Sequence, residues 1–222
     1  MEELERSSSM TQVEITRGYN KSAGYFIIKK IIDIIGALCG IILMSPVMIV
    51  ASIWIKLDSK GPIFFVQNRV GQDGKEFKMY KFRSMCTEAE CLLDNLKDKN
   101  EMSGPMFKIK EDPRVTKIGR FIRKTSIDEL PQLFNILKGE MSLVGPRPSL
   151  PKEVEQFTNF QKQRLIAKPG LTCYWQVRGR STVSFEEWME MDLEYLKERN
   201  TWIDIKLILI TIRVLFGDEI AR

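Results

Sequence analysis

The longest apolar run of the chain extends from Ile31 to Ile55 and holds 25 residues, of which only Asp33 is charged. A helix needs about 20 apolar residues to cross a bilayer, so this run is long enough. Ser45-Pro46 lies near its middle, where a proline removes a main-chain hydrogen bond and kinks a helix. Lysines flank both ends, and such flanks mark the cytoplasmic side. The run is therefore compatible with two alternatives, a kinked spanning helix and a re-entrant hairpin.

A β-hairpin is predicted after this run. The stretch from Ser59 to Met85 reads as two extended segments separated by Asp73-Gly74. Asp-Gly pairs are frequent in hairpin turns, and the flanking residues favour strands. Lys81 and Arg83 fall on the second segment, where a solvated strand face and an anion contact are the two alternatives.

A short helix is predicted in the centre of the chain, where four apolar residues recur at helical spacing from Leu130 to Leu137. Gly139 follows as a C-terminal glycine. Pro131 is tolerated only in the first turn, which places Asp128 at or beside the N-cap. The helix dipole favours anions, phosphates among them, at that end. An ordinary acidic cap is the structural alternative.

Two more helices are predicted near the C-terminal end. The stretch from Phe185 to Asn200 is amphipathic, and that from Trp202 to Phe216 is strongly apolar. Lys206 and Arg213 share one face of the second helix, which is typical of a helix in a membrane interface, although a buried core helix is the alternative. Upstream of both, Leu171 to Arg180 predicts a short strand.

The amino-acid composition limits the kinds of catalytic and metal site that the chain can contain. The chain has no histidine, which excludes histidine triads and histidine-ligated metals and leaves acid–base work to carboxylates or lysines. Its formal net charge of +5 suits a membrane surface or a phosphorylated ligand. The four cysteines show neither a CxxC pair nor metal spacing and are interpreted as free thiols in a reducing compartment.

Basic residues surround the acidic pair Asp128-Glu129. Arg123 belongs to a basic stretch directly upstream, and Arg147 follows between two prolines. Two prolines make a stiff bend, which suits an arginine whose side chain must extend in a fixed direction. A solvated basic face and a plain rigid turn are the structural alternatives, but basic residues beside an acidic pair can also hold phosphates.

Several stretches together resemble one family, the bacterial sugar transferases or monotopic phosphoglycosyl transferases. The resemblance covers the chain from about Phe26 onward and is carried by Ser45-Pro46, YKFRSM at Tyr80 to Met85, the long block from Gly104 to Pro148, PGLT at Pro169 to Thr172, WQVRGR at Trp175 to Arg180, and DLEYL from Asp192. Cys173-Tyr174 departs from the family pattern, where many members carry Gly-Trp, and this departure concerns the donor pocket.

The resemblance implies a two-step transfer of a sugar-1-phosphate. A UDP-sugar first gives its phosphosugar to a carboxylate of the enzyme and releases UMP. Undecaprenyl phosphate then takes the phosphosugar, which yields undecaprenyl-diphosphate-sugar. This product is the first intermediate of a surface polysaccharide such as exopolysaccharide, capsule or O-antigen, or of a glycoconjugate.

The resemblance also implies roles for individual residues. Asp128 is the implied nucleophile, and Glu129 is implied to assist proton transfer or to ligand a metal. Both carboxylates are implied ligands of Mg²⁺, which binds through one or two carboxylates together with substrate phosphates. The implied substrate-binding residues are Arg123, Arg147, Arg180, Lys81, Arg83 and Asp192, the last three being weaker candidates.

The expected architecture is α+β and helix-rich. It comprises a flexible tail at residues 1–24, a re-entrant membrane helix-break-helix at 25–58, and a cytosolic, membrane-associated catalytic domain at 59–222 with the β-hairpin and interfacial amphipathic helices. The resemblance favours re-entry, with the enzyme monotopic on the cytoplasmic face of the bacterial inner membrane. A homo-oligomer is left open and no nucleic-acid partner is expected. The alternative is a non-catalytic, membrane-anchored binding or regulatory protein on the same scaffold.

Overall fold

The computed structural model describes Tyr19 and residues 21–101, 104–105, 107, 109, 111–178 and 183–215. Helices dominate, and the strands form two small sheets, which confirms the helix-rich α+β class. In chain order the elements are α1 Ala23–Asp58, β1 Phe64–Val70, β2 Glu76–Phe82, α2 Lys117–Lys124, α3 Gln132–Leu137, β3 Ser142–Val144, α4 Pro151–Glu155, α5 Asn159–Lys162, β4 Gly170–Thr172, α6 Tyr174–Arg178, α7 Phe185–Glu198 and α8 Thr201–Leu215. The predicted tail lies outside the described residues except for Tyr19 and residues 21–24.

Helix α1 continues through the predicted break for 36 residues, with Pro46 inside it. Proline has no N–H to donate to the carbonyl of Ile42, four residues earlier. The hydroxyl of Ser45 donates to that carbonyl instead, at 2.9 Å. The adjacent serine thus satisfies the acceptor that the proline leaves open. The helix is not interrupted at Ser45-Pro46, so the predicted helix-break-helix is not confirmed.

One side of α1 packs on the rest of the protein at both of its ends. Ala37 lies in a core cluster with Leu133 of α3, while Ala51 and Ile55 lie in a second cluster with Phe82 of β2. The opposite side is apolar and exposed, and includes Ile31, Ile35, Leu38, Ile42, Ile49, Ile53 and Leu57. Among the described residues, α1 is the helix whose length and hydropathy allow it to cross a membrane, and only 17% of its most apolar window is buried.

Strands β1 and β2 form the predicted antiparallel hairpin, in register from Phe64 opposite Phe82 to Val70 opposite Glu76. Asp73 and Gly74 both have positive φ in the turn, as the Asp-Gly pair requires. The hairpin is fixed to α3 through Asn135, whose amide accepts from the Tyr80 N–H and donates to the Lys78 carbonyl.

The central helix is shorter than the sequence predicts. A 3₁₀ turn covers Ile127–Glu129, and α3 begins only at Gln132 with Pro131 as its N-cap residue. The expectation that Asp128 caps α3 is therefore wrong, because the chain turns before the proline. Gly139 ends α3 as predicted, with φ of 78° and an N–H that donates to Ile136.

The C-terminal half packs on α1 through a small parallel sheet. Strand β3 pairs with β4, in register from Ser142 opposite Gly170 to Val144 opposite Thr172. The strand predicted from Leu171 to Arg180 is mostly wrong: β4 ends at Thr172 and α6 follows. Helices α7 and α8 form as predicted. The placement of α8 in a membrane interface is not confirmed, although Trp202 is 73% exposed.

Candidate active site

The acidic pair lies in the 3₁₀ turn that joins α2 to α3. Ser126 precedes the turn with a left-handed φ of 56°, and the N–H of Glu129 donates to the Ser126 carbonyl. Ile127 packs into the cluster formed by Ile122 and its neighbours. This apolar anchor holds the turn against the domain. Asp128 is consequently 8% exposed, while Glu129 is only partly buried.

Glu129 meets two of the predicted cations. Its carboxylate oxygen Oε1 accepts from Lys81 Nζ at 2.7 Å and lies 3.5 Å from Nη1 of Arg147. Lys81 comes from β2 and Arg147 from the loop after β3. The structure thus brings together three elements that are distant in the sequence.

Lys81 is largely withdrawn from solvent, with a side chain that is 14% exposed. Burial lowers the pKa of its ammonium group, and the positive charge of Arg147 adds to this effect. The carboxylates of Glu129 and Asp128 act in the opposite direction and favour the charged form. The acidic pair is therefore the local counter-charge that keeps a cation in this buried position.

Asp128 has an unusual ionisation. Burial, and secondly the charge of Glu129, raise its pKa from 3.8 to about 6. Lys81, Arg123 and Arg147 lower it and offset part of this rise. The sequence predicted stabilisation of this anion by a helix N-terminus, but the 3₁₀ turn supplies little of it and desolvation dominates. Near neutral pH the carboxylate is ionised yet weakly solvated, which suits a nucleophile.

The two predicted arginines next to the pair differ in their surroundings. Arg123 lies in the last turn of α2 with an exposed side chain, and its charge acts on Asp128. Arg147 has its guanidinium carbon 5.7 Å from the centre of the Trp175 ring. The ring limits the positions that this guanidinium can take.

An open pocket adjoins Glu129. It is lined by Lys81 and Arg147 and by three polar residues that the sequence did not single out, Arg69, Gln132 and Gln176. Gln176 lies in the WQVRGR stretch, which was a usable signal. Arg69 reaches the pocket from β1 only because of the tertiary fold, and no local pattern marks it.

Two predicted site residues, Arg83 and Asp192, are not brought to this cluster. Arg83 is 6% exposed and its guanidinium donates to the carbonyls of Ser59, at 2.8 Å, and Lys60, at the end of α1. Asp192 is fully buried and pairs with Arg164 at 2.6 Å. Arg180 lies outside the described residues. The structure thus gives Arg83 and Asp192 internal partners where ligand contacts were expected.

Residues 24–218 match the family described as bacterial sugar transferase. The chain is 49% identical over 191 residues to galactosyl transferase CpsE of Streptococcus agalactiae serotype III, covering 86% of this chain and 42% of that protein. It is 43% identical over 192 residues to undecaprenyl-phosphate galactose phosphotransferase of Salmonella typhimurium, covering 84% and 40%. It is 38% identical over 194 residues to UDP-glucose:undecaprenyl-phosphate glucose-1-phosphate transferase of Escherichia coli, covering 84% and 39%. The chain therefore spans less than half the length of these relatives.

Proposed function

Because the chain belongs to the bacterial sugar transferase family, we propose that it transfers a sugar-1-phosphate from a UDP-sugar to undecaprenyl phosphate. UMP is released and undecaprenyl-diphosphate-sugar is formed, which starts the synthesis of a surface polysaccharide or glycoconjugate. The names of the Salmonella and Escherichia relatives, which include this lipid acceptor, support the proposal. The observation that carries it is the buried carboxylate of Asp128 within the field of Lys81, Arg123 and Arg147.

The transfer proceeds in two displacements. An oxygen of Asp128 attacks the phosphorus that bears the sugar, and the bond from that phosphorus to the UMP oxygen breaks. The second displacement reverses the roles: a phosphate oxygen of the lipid attacks the phosphosugar on Asp128, and the carboxylate leaves. Such covalent steps divide one difficult transfer into two easier ones.

Charge repulsion is the main obstacle to the first step. Two like unit charges about 4 Å apart repel by about 4 kcal/mol at an effective dielectric constant of 20. The cations Lys81, Arg123 and Arg147 lie where they act on Asp128 and can reverse the sign of this interaction. Arg147 and Lys81 also line the adjoining pocket, which suits the diphosphate of the donor.

The acidic pair fits Mg²⁺ as a cofactor. The negative charge of Glu129 is one cause of the raised pKa of Asp128, so a cation bound between the two carboxylates would favour the ionised form of Asp128. In the part of the chain that the structure describes, no cluster of three or more acidic or thiol side chains could hold a metal. Mg²⁺ suits such a site because it binds through one or two carboxylates plus substrate phosphates. When bound, it would neutralise charge on the diphosphate.

We propose that α1 lies monotopically in the cytoplasmic leaflet: its packing supports the monotopic placement, and the lysines at its flanks favour the cytoplasmic side. Near its start, Lys29 donates to the Val144 carbonyl and pairs with Asp204, both at 2.9 Å. At its end, Asp58 accepts from the N–H of Ile118 at 3.3 Å. Both ends thus contact the same domain, which favours a helix that stays on one side of the bilayer over one that crosses it. The exposed apolar side of α1 then rests in one leaflet.

The candidate active site would lie at the membrane surface in this arrangement. Phe121 of α2 is 47% exposed and makes an edge-on contact with Trp54 of α1, their ring centres 6.0 Å apart. The apolar side of α1 thereby continues onto the helix that carries Arg123. A site at this level is accessible both to a water-soluble donor and to the phosphate of a lipid acceptor.

The test is a UMP-release assay with purified protein over a panel of UDP-sugars, with and without undecaprenyl phosphate. We expect release to be limited to about one UMP per enzyme without acceptor and to continue with it. Asp128→Asn should abolish both release and covalent attachment of a radiolabelled phosphosugar. Asp73→Asn, an exposed aspartate in the hairpin turn, is the matched control and should behave as the unaltered protein.

Normal turnover by Asp128→Asn would refute the assignment of the nucleophile. If the unaltered protein released no UMP from any donor but still bound a UDP-sugar, the alternative of a non-catalytic binding protein would hold instead.

A further inference from the structure

Four consecutive main-chain carbonyls, from Pro146 to Ser149, accept hydrogen bonds from groups far away in the sequence. The Gly170 N–H donates to Pro146 at 2.9 Å, and the Val70 N–H donates to Ser149 at 2.9 Å. Between them, Arg164 Nη2 donates to the Arg147 carbonyl at 2.7 Å and Arg69 Nη1 donates to that of Pro148 at 3.1 Å. This segment, Pro146–Ser149, is therefore held at every residue.

The prolines explain why side chains are needed here. Pro146 and Pro148 have no N–H, so the segment cannot exchange the paired hydrogen bonds of an ordinary strand. Buried carbonyls without a donor are costly. Two guanidinium groups supply the donors, and Arg164 also donates to the Ser149 hydroxyl. The two central carbonyls are thus held by arginines rather than by the main chain.

Arg164 is itself immobilised. Its side chain is 1% exposed and pairs with Asp192 through two nitrogens, at 2.9 Å from Nε and 2.6 Å from Nη2. The rings of Phe157 and Trp188 lie 5.8 and 5.5 Å from its guanidinium carbon. Asp192, which was expected to contact substrate, thus acts on the segment through Arg164.

The side chain that this segment presents is Arg147. Its guanidinium reaches within 3.5 Å of Glu129 and lies against Trp175. A fully bonded main chain fixes the point from which this side chain extends, and the Glu129 carboxylate and the Trp175 ring limit where its guanidinium lies. A misplacement of about 1 Å in such a group can cost about 100-fold in rate.

We propose that Arg69 and Arg164 are positioning residues that hold the Pro146–Ser149 segment so that Arg147 is aimed at the reacting phosphate. The inference rests on the proposed function, and it assigns to these two arginines an indirect role through Arg147. Arg69 also lines the pocket beside Glu129, so a direct contact with the donor is the competing role that the test must separate.

The test is a double-mutant cycle on UMP release. Arg69→Gln should lower kcat/KM by about 10- to 100-fold in the unaltered background. In the Arg147→Ala background, the same change should cost less than about 3-fold, because its effect passes through a side chain that is no longer present. An equal loss in both backgrounds would overturn the proposal and assign Arg69 a contact of its own.

Ser149→Ala gives a milder second variant, since it removes one acceptor of Arg164 without leaving a buried charge unpaired. It should show the same dependence on Arg147, and an equal loss in both backgrounds would count against the role of Arg164. Arg114→Gln is the matched control for a buried arginine outside the segment, because Arg114 pairs with Asp112. Its loss of kcat/KM, if any, should be the same with and without Arg147.

A second measurement does not depend on activity. Hydrogen exchange at the Gly170 amide, which bonds to the far end of the segment, should be at least about 10-fold faster in Arg69→Gln. The Tyr80 amide, which bonds to Asn135, should not change. Unchanged exchange at Gly170 would refute the positioning role even if the unaltered protein transferred no sugar phosphate, whereas absent UMP release by that protein would refute only the proposed function.

Discussion

The ammonium group of Lys81 lies 2.7 Å from a carboxylate oxygen of Glu129, although 48 positions separate the two residues. The contact joins the β-hairpin to the turn that carries Asp128. It places a positive charge beside two carboxylates at the point where the phosphates of the proposed donor would arrive.

Replacing Lys81 by methionine should lower kcat/KM for UMP release by about 100-fold or more, because a cation that we propose to offset phosphate charge is lost. The loss should exceed that of Lys78→Met, which removes an exposed lysine of the same strand. Steady-state kinetics with the preferred UDP-sugar would measure both variants. Equal, small effects would mean that Lys81 only fastens the hairpin to the turn.

The first half-reaction should depend on pH through Asp128. Its pKa of about 6 means that the proposed nucleophile becomes ionised as the pH rises through this value, so single-turnover UMP release should increase from pH 5 to pH 7. In Glu129→Gln the rising limb should move to lower pH, since the Glu129 charge raises that pKa. If the rising limb of the pH–rate profile of Glu129→Gln lay at the same pH as that of the unaltered protein, Glu129 would not affect the ionisation of Asp128.

The free energy of unfolding should fall over the pH range in which single-turnover UMP release rises. A carboxyl whose folded pKa is raised contributes stability below its unfolded pKa and loses it as the pH rises through the folded value. Asp128 therefore destabilises the fold above pH 6, by at most about 3 kcal/mol for a rise from 3.8 to about 6. Without divalent cations, Asp128→Asn should raise Tm by several degrees at pH 7.5.

The gain in Tm of Asp128→Asn over the unaltered protein should decrease as the pH approaches 4, because the Asp128 carboxyl of the folded unaltered protein is then neutral as well. Thermal unfolding in detergent at several pH values would measure it, with Asp73→Asn as the exposed control. A destabilised Asp128→Asn at pH 7.5 would mean that the cations around the carboxylate outweigh its desolvation.

Topology can be tested with single cysteines at the two ends of α1. Gly24→Cys and Lys60→Cys, in a variant whose native cysteines are serine, both lie at exposed positions. If α1 rests in the cytoplasmic leaflet, neither thiol should react with a membrane-impermeant maleimide in intact cells, and both should react after lysis. Labelling of only one of them in intact cells would identify a spanning helix.

The elements that the sequence predicted well are those encoded by neighbouring residues. The apolar run of α1, the Asp73-Gly74 turn and the glycine that ends α3 depend on local composition and on φ angles that few residues adopt. Pro131 was a harder case. It permits either a helix that starts before it or one that starts after it, and in the structure a 3₁₀ turn precedes it and α3 follows it.

By itself, the sequence determined that an apolar helix, a hairpin, and an acidic pair among basic residues occur in one chain. Only the tertiary structure decided which basic residues meet the acidic pair. Lys81 and Arg83 are two positions apart on one segment, yet one pairs with Glu129 and the other with the end of α1. Periodicity assigns a side chain to a face, but the packing of distant elements decides what that face meets and how far burial shifts a pKa.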